Sequence, residues 1–375
     1  MKTIKQAILI GLLNLISIII CAQKDNIYLY IGTYTSRISE GIYVYQFNTK
    51  TADFMPISIA KGISNPSFLS ISTDNRFLYA LGGKKGDTVR AFAIEKQTHH
   101  LTFLNEQPLG GFFGSAHLAI DKTGKWLIVG NYLAGSINVL PVKPDGSLGE
   151  VTQTIQHEGK SVHPERQTKP YVHSINIAPN NKDVFVADLG TDKIMAYTLN
   201  TQTGQLTPSN PAFVATPPGS GPRHFTFHPN GKFAYVINEL DATVTGFTYK
   251  NGALETIQTV NNLPEDYKGR KWAADIHISP DGKFLYASNR AEHESLSIFK
   301  IDKKTGKLTL VRHQPVNGET PRNFAIDPTG NFILIANQDS DNITIFKRDK
   351  KTGKLTATGK EMKVSMPVCL KFNTI

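Results

Sequence analysis

Polar and ionisable residues recur at two kinds of position, immediately before and immediately after short apolar segments. The set that begins such segments is His117, His173, Arg223 with His224, Asp275, and Arg322 with Asn323. The set that ends them is Asn131, Asp188, Asn238 with Glu239, Asn289 with Arg290, and Asn337 with Gln338. If the two sets meet in the fold, a carboxylate or an imidazole could take a proton from water, and guanidinium groups could bind an anion and stabilise an oxyanion.

The arginines, Glu239 and His173 carry the functional prediction, because charges that face a narrow channel are costly unless they are paired or used. The asparagines and Asp188 are more simply explained as partners of neighbouring backbone groups. His277 alternates with apolar neighbours, as a hydrogen-bonded strand histidine would. The sequence shows no zinc-type Cys/His spacing, no calcium loop and no glycine-rich phosphate loop, so neither a metal nor an organic cofactor is expected.

The apolar segments belong to a repeat of about fifty residues, a period that is typical of β-propellers. A turn followed by an apolar strand with a polar end occurs as NIYLYIGTY, DNRFLYALGG, TGKWLIVGNY, NNKDVFVADL, NGKFAYVINE, DGKFLYASNR and TGNFILIANQ. Further apolar segments flank these copies, and Asp-Gly, Asn-Gly and Thr-Gly turns between them favour tight hairpins. The sequence therefore predicts an all-β, seven-bladed propeller with four-stranded antiparallel blades, whose strands we name A to D from the axis outward.

The first repeat lacks its strand A, and the C-terminal segment Met366–Phe372 has the pattern to supply it. We predict that this segment pairs beside Asn26–Tyr34 and closes the ring, which would remove two exposed sheet edges. Strands A and B are antiparallel, so the start of A and the end of B lie at the same end of the channel. Both sets of polar residues are therefore expected at one channel mouth.

One repeat is longer than the others, and it contains an insertion at His157–Pro170. The insertion joins strand D of one blade to strand A of the next, so it should cover the polar mouth. Arg166 and Gln167 are then candidates for contact with a substrate. The alternative is that Glu165 and Arg166 pair with each other and only order the loop.

The N-terminus predicts an export signal. Two lysines precede an apolar stretch from Ala7 to Ile20, which is short for a membrane span, and Cys21-Ala22-Gln23 leads into polar sequence. Cleavage after Ala22 would leave residues 23–375 as one propeller domain, exported to the periplasm or the extracellular space without a stable membrane span. Lipidation of Cys21 is the less favoured alternative, because an isoleucine precedes it where lipoprotein signals place a small residue.

The formal net charge of the whole chain is +10. A basic protein attracts anionic substrates, so a small anionic molecule is the expected partner. The lysine-rich turns carry no aromatic stacking pattern, which argues against binding of nucleic acid. A monomer is expected.

These motifs carry a resemblance to the propeller lactonase family, which contains bacterial 6-phosphogluconolactonases and fungal carboxy-muconate lactonising enzymes. The matching stretches follow the family's order over nearly all of the chain beyond the signal, and include YIGTYT, NPSFLSIS, HPERQ, DLGTDKI, PGSGPRHFTFHPNGKFAYVINEL, SPDGKFLYASNR and TPRNFAIDPTGNFILIANQDSDNITIF. The resemblance implies hydrolysis of a sugar lactone to its open-chain acid, with His173, Arg223, Glu239 and Arg290 as the catalytic group. Substrate contacts are expected from the other polar residues of the mouth, namely Arg166, Gln167, His117, His224, Asp275, Arg322 and Asn323.

Several alternatives stay open at the level of sequence. Either Glu239 or His173 could be the base. The family often has P-H-x-H where this chain has Pro170-Tyr171-Val172-His173, so one histidine is missing. An export signal does not suit a cytoplasmic sugar phosphate, which leaves the physiological lactone open. A lactone-forming or lactone-opening cycloisomerase of the muconate type would use much the same site, and a non-catalytic ligand-binding propeller is the third possibility.

Overall fold

The computed structural model of the protein describes residues 25–83, 87–110 and 114–373. Within these ranges the regular elements are β-strands, which form seven four-stranded antiparallel sheets. The strands are numbered in chain order, and each blade is given from the axis outward.

Blade 1 contains β28 (Pro367–Asn373), β1 (Asn26–Thr33), β2 (Gly41–Asn48) and β3 (Phe54–Lys61). Blade 2 contains β4 (Leu69–Ile71), β5 (Phe77–Gly82), β6 (Thr88–Ile94) and β7 (Leu101–Pro108). Blade 3 contains β8 (Ser115–Ile120), β9 (Trp126–Asn131), β10 (Ser136–Pro141) and β11 (Gln153–Gln156). Blade 4 contains β12 (Val172–Ile177), β13 (Asp183–Asp188), β14 (Lys193–Leu199) and β15 (Leu206–Ala215).

Blade 5 contains β16 (Pro222–Phe227), β17 (Phe233–Asn238), β18 (Thr243–Lys250) and β19 (Ala253–Asn261). Blade 6 contains β20 (Ala273–Ile278), β21 (Phe284–Asn289), β22 (Ser295–Ile301) and β23 (Leu308–Pro315). Blade 7 contains β24 (Pro321–Ile326), β25 (Phe332–Asn337), β26 (Asn342–Arg348) and β27 (Leu355–Lys363).

The innermost strands contact one another in the cyclic order β28, β4, β8, β12, β16, β20 and β24. This arrangement confirms the predicted seven-bladed propeller. Strand β28 pairs with β1 from Tyr28 opposite Asn373 to Thr33 opposite Pro367, which confirms closure of the ring by the C-terminal segment. Met366 precedes the strand, and its carbonyl accepts a hydrogen bond of 3.0 Å from the amide of Tyr34.

Buried aromatic residues of strand B connect neighbouring blades. The hydroxyl of Tyr235 donates to the carbonyl of Gly306 in the next blade at 2.7 Å, and Tyr286 donates to Gly353 in the same way at 2.8 Å. Gly306 has a φ of +70°, and a Cβ there would lie 2.5 Å from the ring of Phe233. The Thr-Gly turn before strand D is therefore a docking point for the preceding blade, and its repetition sets the spacing between blades.

A β-bulge interrupts the start of several innermost strands. In blades 4, 5 and 7 the register between strands A and B shifts by one residue, and the extra residue is His173, Arg223 or Arg322, respectively. A bulge leaves one residue outside the regular pairing and re-aims its side chain. These irregularities turn the three side chains towards one end of the channel.

Candidate active site

A cavity of about 480 Å³ lies at the end of the channel where A strands begin and B strands end. The bulge residues His173, Arg223 and Arg322 line it from the A strands. Residues directly after the B strands, Glu239 and Arg290 among them, line it from the other side. Both sets of strand ends therefore contribute to one site, as the antiparallel pairing of A and B requires.

Glu239 is the centre of charge in this cavity, and its residue is only 4% exposed. Its Oε2 accepts hydrogen bonds of 2.9 Å from Nε of Arg223 and from Nη2 of Arg290. Its Oε1 accepts one of 2.5 Å from Nη2 of Arg166. Nε2 of His173 lies 4.0 Å from Oε2. Three guanidinium groups thus surround one carboxylate.

These charges decide the ionisation of the site. Burial raises the pKa of Glu239, but Arg290, Arg223 and Arg166 outweigh burial and lower the pKa to about 2. Burial also lowers the pKa of His173 well below its usual range, and the charge of Arg223 adds to that effect. At neutral pH the cavity therefore holds an ionised carboxylate beside a neutral imidazole.

Arg223 and Arg290 are held in fixed positions. Nη1 of Arg223 donates to the carbonyl of Ala274 at 2.5 Å, and Nη2 of Arg290 donates to that of Ala273 at 2.8 Å. The guanidinium of Arg290 also lies 3.9 Å from the ring centroid of Trp272, a distance that suits a cation–π contact. Both arginines are almost fully buried, so they are set in place before any ligand arrives.

Arg166 comes from the insertion, and its side chain is 34% exposed. Its Nη2 also donates to the hydroxyl of Tyr132 at 3.3 Å. The contact with Glu239 confirms that the insertion reaches the channel mouth. Among the described residues Arg166 makes no ion pair with Glu165, so the alternative of a purely internal pair is not what the structure has.

Arg322 faces the cavity from blade 7 with its guanidinium 5.4 Å from the ring centroid of Tyr34. No carboxylate of the described residues forms an ion pair with it. Four arginines and one carboxylate line the cavity, which leaves a surplus of three positive charges. A cavity with this balance is suited to an anionic ligand.

Four of the predicted substrate residues do not line this cavity. His117, Asp275 and Asn323 line a second cavity of about 440 Å³ at the other end of the channel. His117 and Asn323 lie one position deeper along their A strands than Ala116 and Arg322, which line the first cavity, and β-bulges interrupt the start of all three A strands. The side chain of Gln167 is buried in the insertion, where it donates to Leu189 and accepts from the amide of His163. The expectation that these four residues line the channel mouth is therefore wrong, whereas His224 lines both cavities.

The residues that end the B strands have the structural role expected of them. Nδ2 of Asn238 donates to the hydroxyl of Thr243 at 2.8 Å, and Nδ2 of Asn289 donates to that of Ser295 at 3.2 Å. Asp188 accepts hydrogen bonds from the backbone of blade 4 and contacts His157. These side chains fix the B–C hairpins, so the residues that follow them enter the cavity at defined positions.

Sequence reasoning missed the aromatic residues of the cavity. Tyr34, Phe68, Tyr132 and Trp272 all line it. Tyr132 directly follows β9, Tyr34 directly follows β1, and Trp272 directly precedes β20. A search one position beyond each strand end would have found these three.

Among the described residues, no group of three or more His, Cys, Asp or Glu side chains is arranged to hold a metal ion. The same part of the chain contains no helix that is long and apolar enough to cross a membrane. The predicted export signal, residues 1–22, lies outside the described residues.

Comparison with known proteins agrees with the fold. Residues 28–372 match the family described as lactonase, 7-bladed beta-propeller. A 6-phosphogluconolactonase of Formosa agariphila is 39% identical over 84% of this chain and 90% of its own length. A Bacteroides fragilis structure, provisionally assigned as a 6-phosphogluconolactonase, has 41% identity and a TM-score of 0.88 over 93% of this chain and 98% of its own. The periplasmic gluconolactonase of Pseudomonas aeruginosa has 34% identity and a TM-score of 0.87 over 93% and 99%. The chain therefore belongs to the seven-bladed β-propeller lactonase family.

Proposed function

We propose that this protein hydrolyses an anionic sugar lactone to its open-chain acid, as a 6-phosphogluconolactonase-like enzyme without a cofactor. The observation that carries the proposal is the surplus of guanidinium groups around one buried carboxylate. Lactone hydrolysis requires a bound substrate, an attacking water and donors for the tetrahedral oxyanion. The relatives named 6-phosphogluconolactonase and gluconolactonase support this reaction class.

The more accessible arginines suit the binding of the substrate's anionic group. Arg322 has no carboxylate partner among the described residues, and Arg166 is partly exposed at the mouth. A guanidinium group can present two parallel N–H donors to a phosphate or carboxylate. These two residues are our candidates for binding the anionic group of the substrate, which would extend to the rim of the cavity.

The buried arginines suit the reacting carbonyl. Arg223 and Arg290 are fixed by Glu239 and by backbone carbonyls, so they need no rearrangement when negative charge develops on the lactone oxygen. Glu239 holds them together and offsets part of their positive charge. His173 is neutral, lines the cavity and has its Nε2 4.0 Å from Oε2 of Glu239, so it adds a polar ring beside the carboxylate.

Hydrolysis can be measured directly as acid release from a panel of sugar lactones, phosphorylated and unphosphorylated. We expect turnover well above the spontaneous rate, and a higher kcat/KM for lactones that carry an anionic group. Arg322→Gln should remove most of that preference while it leaves the folded protein intact. If no lactone is hydrolysed above the spontaneous rate, the proposed function is refuted. Formation of a lactone ring from an unsaturated acid by the protein would instead indicate cycloisomerase activity.

We also propose that the protein acts outside the cytoplasm, after cleavage near Ala22. The support is the charged and apolar pattern of the N-terminus, and the periplasmic relative fits with it. Mass spectrometry of the exported protein should give a mature chain that begins near Gln23. A mass that retains residues 1–22, or a lipid on Cys21, would contradict this proposal.

A further inference from the structure

His224 occupies the boundary between the two cavities, because its ring lines both of them. Its residue is 7% exposed, and the ring centroid of His173 lies 5.3 Å away. Nδ1 of His224 lies 2.7 Å from Oδ1 of Asp275. Nε2 has no hydrogen-bond partner among the described residues. His224 therefore brings a ring nitrogen that has no protein partner in the described part of the chain to the boundary between the catalytic cavity and the second cavity.

Asp275 determines which nitrogen of His224 carries the proton. The carboxylate is 2% exposed, and burial raises its pKa, but His277 and His224 lower the pKa well below its usual range. An ionised carboxylate is an acceptor only, so Nδ1 of His224 must be the donor. The neutral ring then has its lone pair on Nε2. This is the arrangement by which an aspartate prepares a histidine to act as a base.

The other candidate bases are less well placed for that task. Glu239 already accepts from three guanidinium groups, which lower its pKa to about 2. Burial and the charge of Arg223 also lower the pKa of His224, but only to about 4, so His224 is neutral at pH 7 and the stronger base of the two. Nδ1 of His173 is buried without a partner, and Nε2 of His173 faces the carboxylate of Glu239. A negative neighbour favours the N–H on that side, so His173 faces the carboxylate as a donor. His224 is the histidine whose orientation an ionised partner fixes.

We propose that His224 is the general base of the lactonase reaction and that Asp275 is the residue that positions it. The inference rests on the proposed lactone hydrolysis and goes further by assigning the proton-transfer group. It differs from the sequence prediction, in which both residues were substrate contacts and the base was Glu239 or His173.

The proton balance of this step is complete. Nε2 of His224 takes a proton from water as the water oxygen bonds to the lactone carbonyl carbon, and the carbonyl electrons move to the oxyanion. The imidazolium is stabilised by Asp275 through the Nδ1 hydrogen bond. Collapse of the tetrahedral species breaks the bond to the ring oxygen, which takes the proton back from Nε2. The product is the hydroxy acid, whose carboxyl group then ionises in solvent.

The contacts of Asp275 make Asp275→Asn a sharp test. Oδ2 accepts from Nε2 of His277 at 2.9 Å, from Nδ2 of Asn323 at 2.5 Å and from the amide of Phe324 at 3.1 Å. These three donors require the amide oxygen of the new asparagine at the Oδ2 position. Its NH₂ group then faces Nδ1 of His224 and forces the proton onto Nε2, while the hydrogen bond of 3.0 Å that Oδ1 accepts from the amide of Ile276 is lost. The variant keeps the shape of the site but removes the lone pair from the cavity.

For a lactone that the wild type hydrolyses, we expect kcat of Asp275→Asn and of His224→Gln to fall by about a hundredfold or more. KM and the affinity for the aldonate product should stay close to the wild type, because the arginines are untouched. A merely structural role would not separate kcat from product affinity in this way.

Asp121→Asn is the matched control. Asp121 is also a fully buried carboxylate, but it accepts from the amides of Thr123, Lys125 and Trp126 in a turn between strands A and B, away from the catalytic cavity. The Asp121→Asn variant should have a lower thermal unfolding midpoint and a kcat near the wild-type value.

The possible outcomes separate this inference from the proposed function. Wild-type turnover with near-normal kcat in both His224→Gln and Asp275→Asn would overturn the inference and leave the lactonase proposal standing. Absence of wild-type turnover on every lactone would overturn both. Loss of product affinity in parallel with kcat would also overturn the inference, because it would show that His224 supports binding instead of proton transfer.

Discussion

Replacement of Glu239 by Gln tests how much the Glu239 carboxylate stabilises the fold through its ion pairs with the buried arginines. The substitution keeps the size of the side chain but removes the charge that Arg223, Arg290 and Arg166 contact. Arg223 and Arg290 are 2% and 1% exposed, so water cannot replace the lost partner. Removal of one partner of a buried ion pair typically costs about 3–5 kcal/mol.

The ionisation of Glu239 gives an independent estimate. Its pKa falls from an ordinary 4.5 to about 2 on folding, which corresponds to about 3 kcal/mol of stability at neutral pH. A lowered carboxyl pKa contributes stability that is fully present above pH 4.5 and is lost as the pH falls towards 2. The difference in stability between wild type and Glu239→Gln should therefore be constant above about pH 5 and shrink by about 2 kcal/mol at pH 3.

Thermal unfolding measures this effect directly. For a cooperative unit of this size, about 3 kcal/mol lowers Tm by about 4 °C. Arg166→Gln is the control, because Arg166 is partly exposed and its pair with Glu239 should contribute about 1 kcal/mol or less. The reasoning would be refuted if Glu239→Gln had the wild-type Tm at pH 7. It would also be refuted if the difference in stability between variant and wild type were the same at pH 7 and pH 3.

Three further predictions concern binding, blade packing and ring closure. Arg322→Gln should raise KM for an anionic lactone about tenfold or more with little change in kcat, since each charge-assisted bond contributes about 1.5–3 kcal/mol; equal KM values for variant and wild type would contradict this role. Tyr235→Phe should cost about 1 kcal/mol in urea unfolding, because it removes the hydroxyl bond to Gly306 while the ring stays buried; an unchanged midpoint would show that the bond contributes nothing. A chain that ends at Ser365 lacks β28, so β1 would lose one neighbour and the variant should aggregate or unfold well below the wild-type Tm; a soluble variant with unchanged Tm would contradict the closure argument.

The fold could be predicted because its determinants are local and repeated. Each copy of the strand pattern carries its own turn residues, and seven copies at similar spacing predict a closed ring without knowledge of any long-range contact. Closure of the ring could be predicted because the first repeat lacks strand A and Met366–Phe372 is a strand-like segment without a repeat of its own. The same logic of strand ends predicted that Glu239, Arg290 and the insertion residue Arg166 share one mouth.

The two-layer structure of the channel could not be predicted in this way. Bulges at the start of strand A decide whether Asp275 and Asn323 line the cavity at the mouth or the second cavity. A bulge is a property of the register between two strands, which the sequence of one strand does not show. The sequence shows Arg322 and Asn323 as neighbours, but the structure separates them into different cavities. The aromatic lining was missed for another reason, since Tyr132 and Trp272 have the residue types of a propeller core.

The charge network of the cavity also connects the blades. Glu239 and Arg223 belong to blade 5, Arg290 belongs to blade 6, and Arg166 comes from the segment between blades 3 and 4. One layer below, Asp275 of blade 6 contacts His224 of blade 5 and Asn323 of blade 7. The contacts that hold neighbouring blades at the channel are thus the contacts that orient the polar site. Because both networks span blades, a small change in blade spacing would displace arginines and histidines together, so the rigidity of the closed ring is itself a requirement of the proposed chemistry.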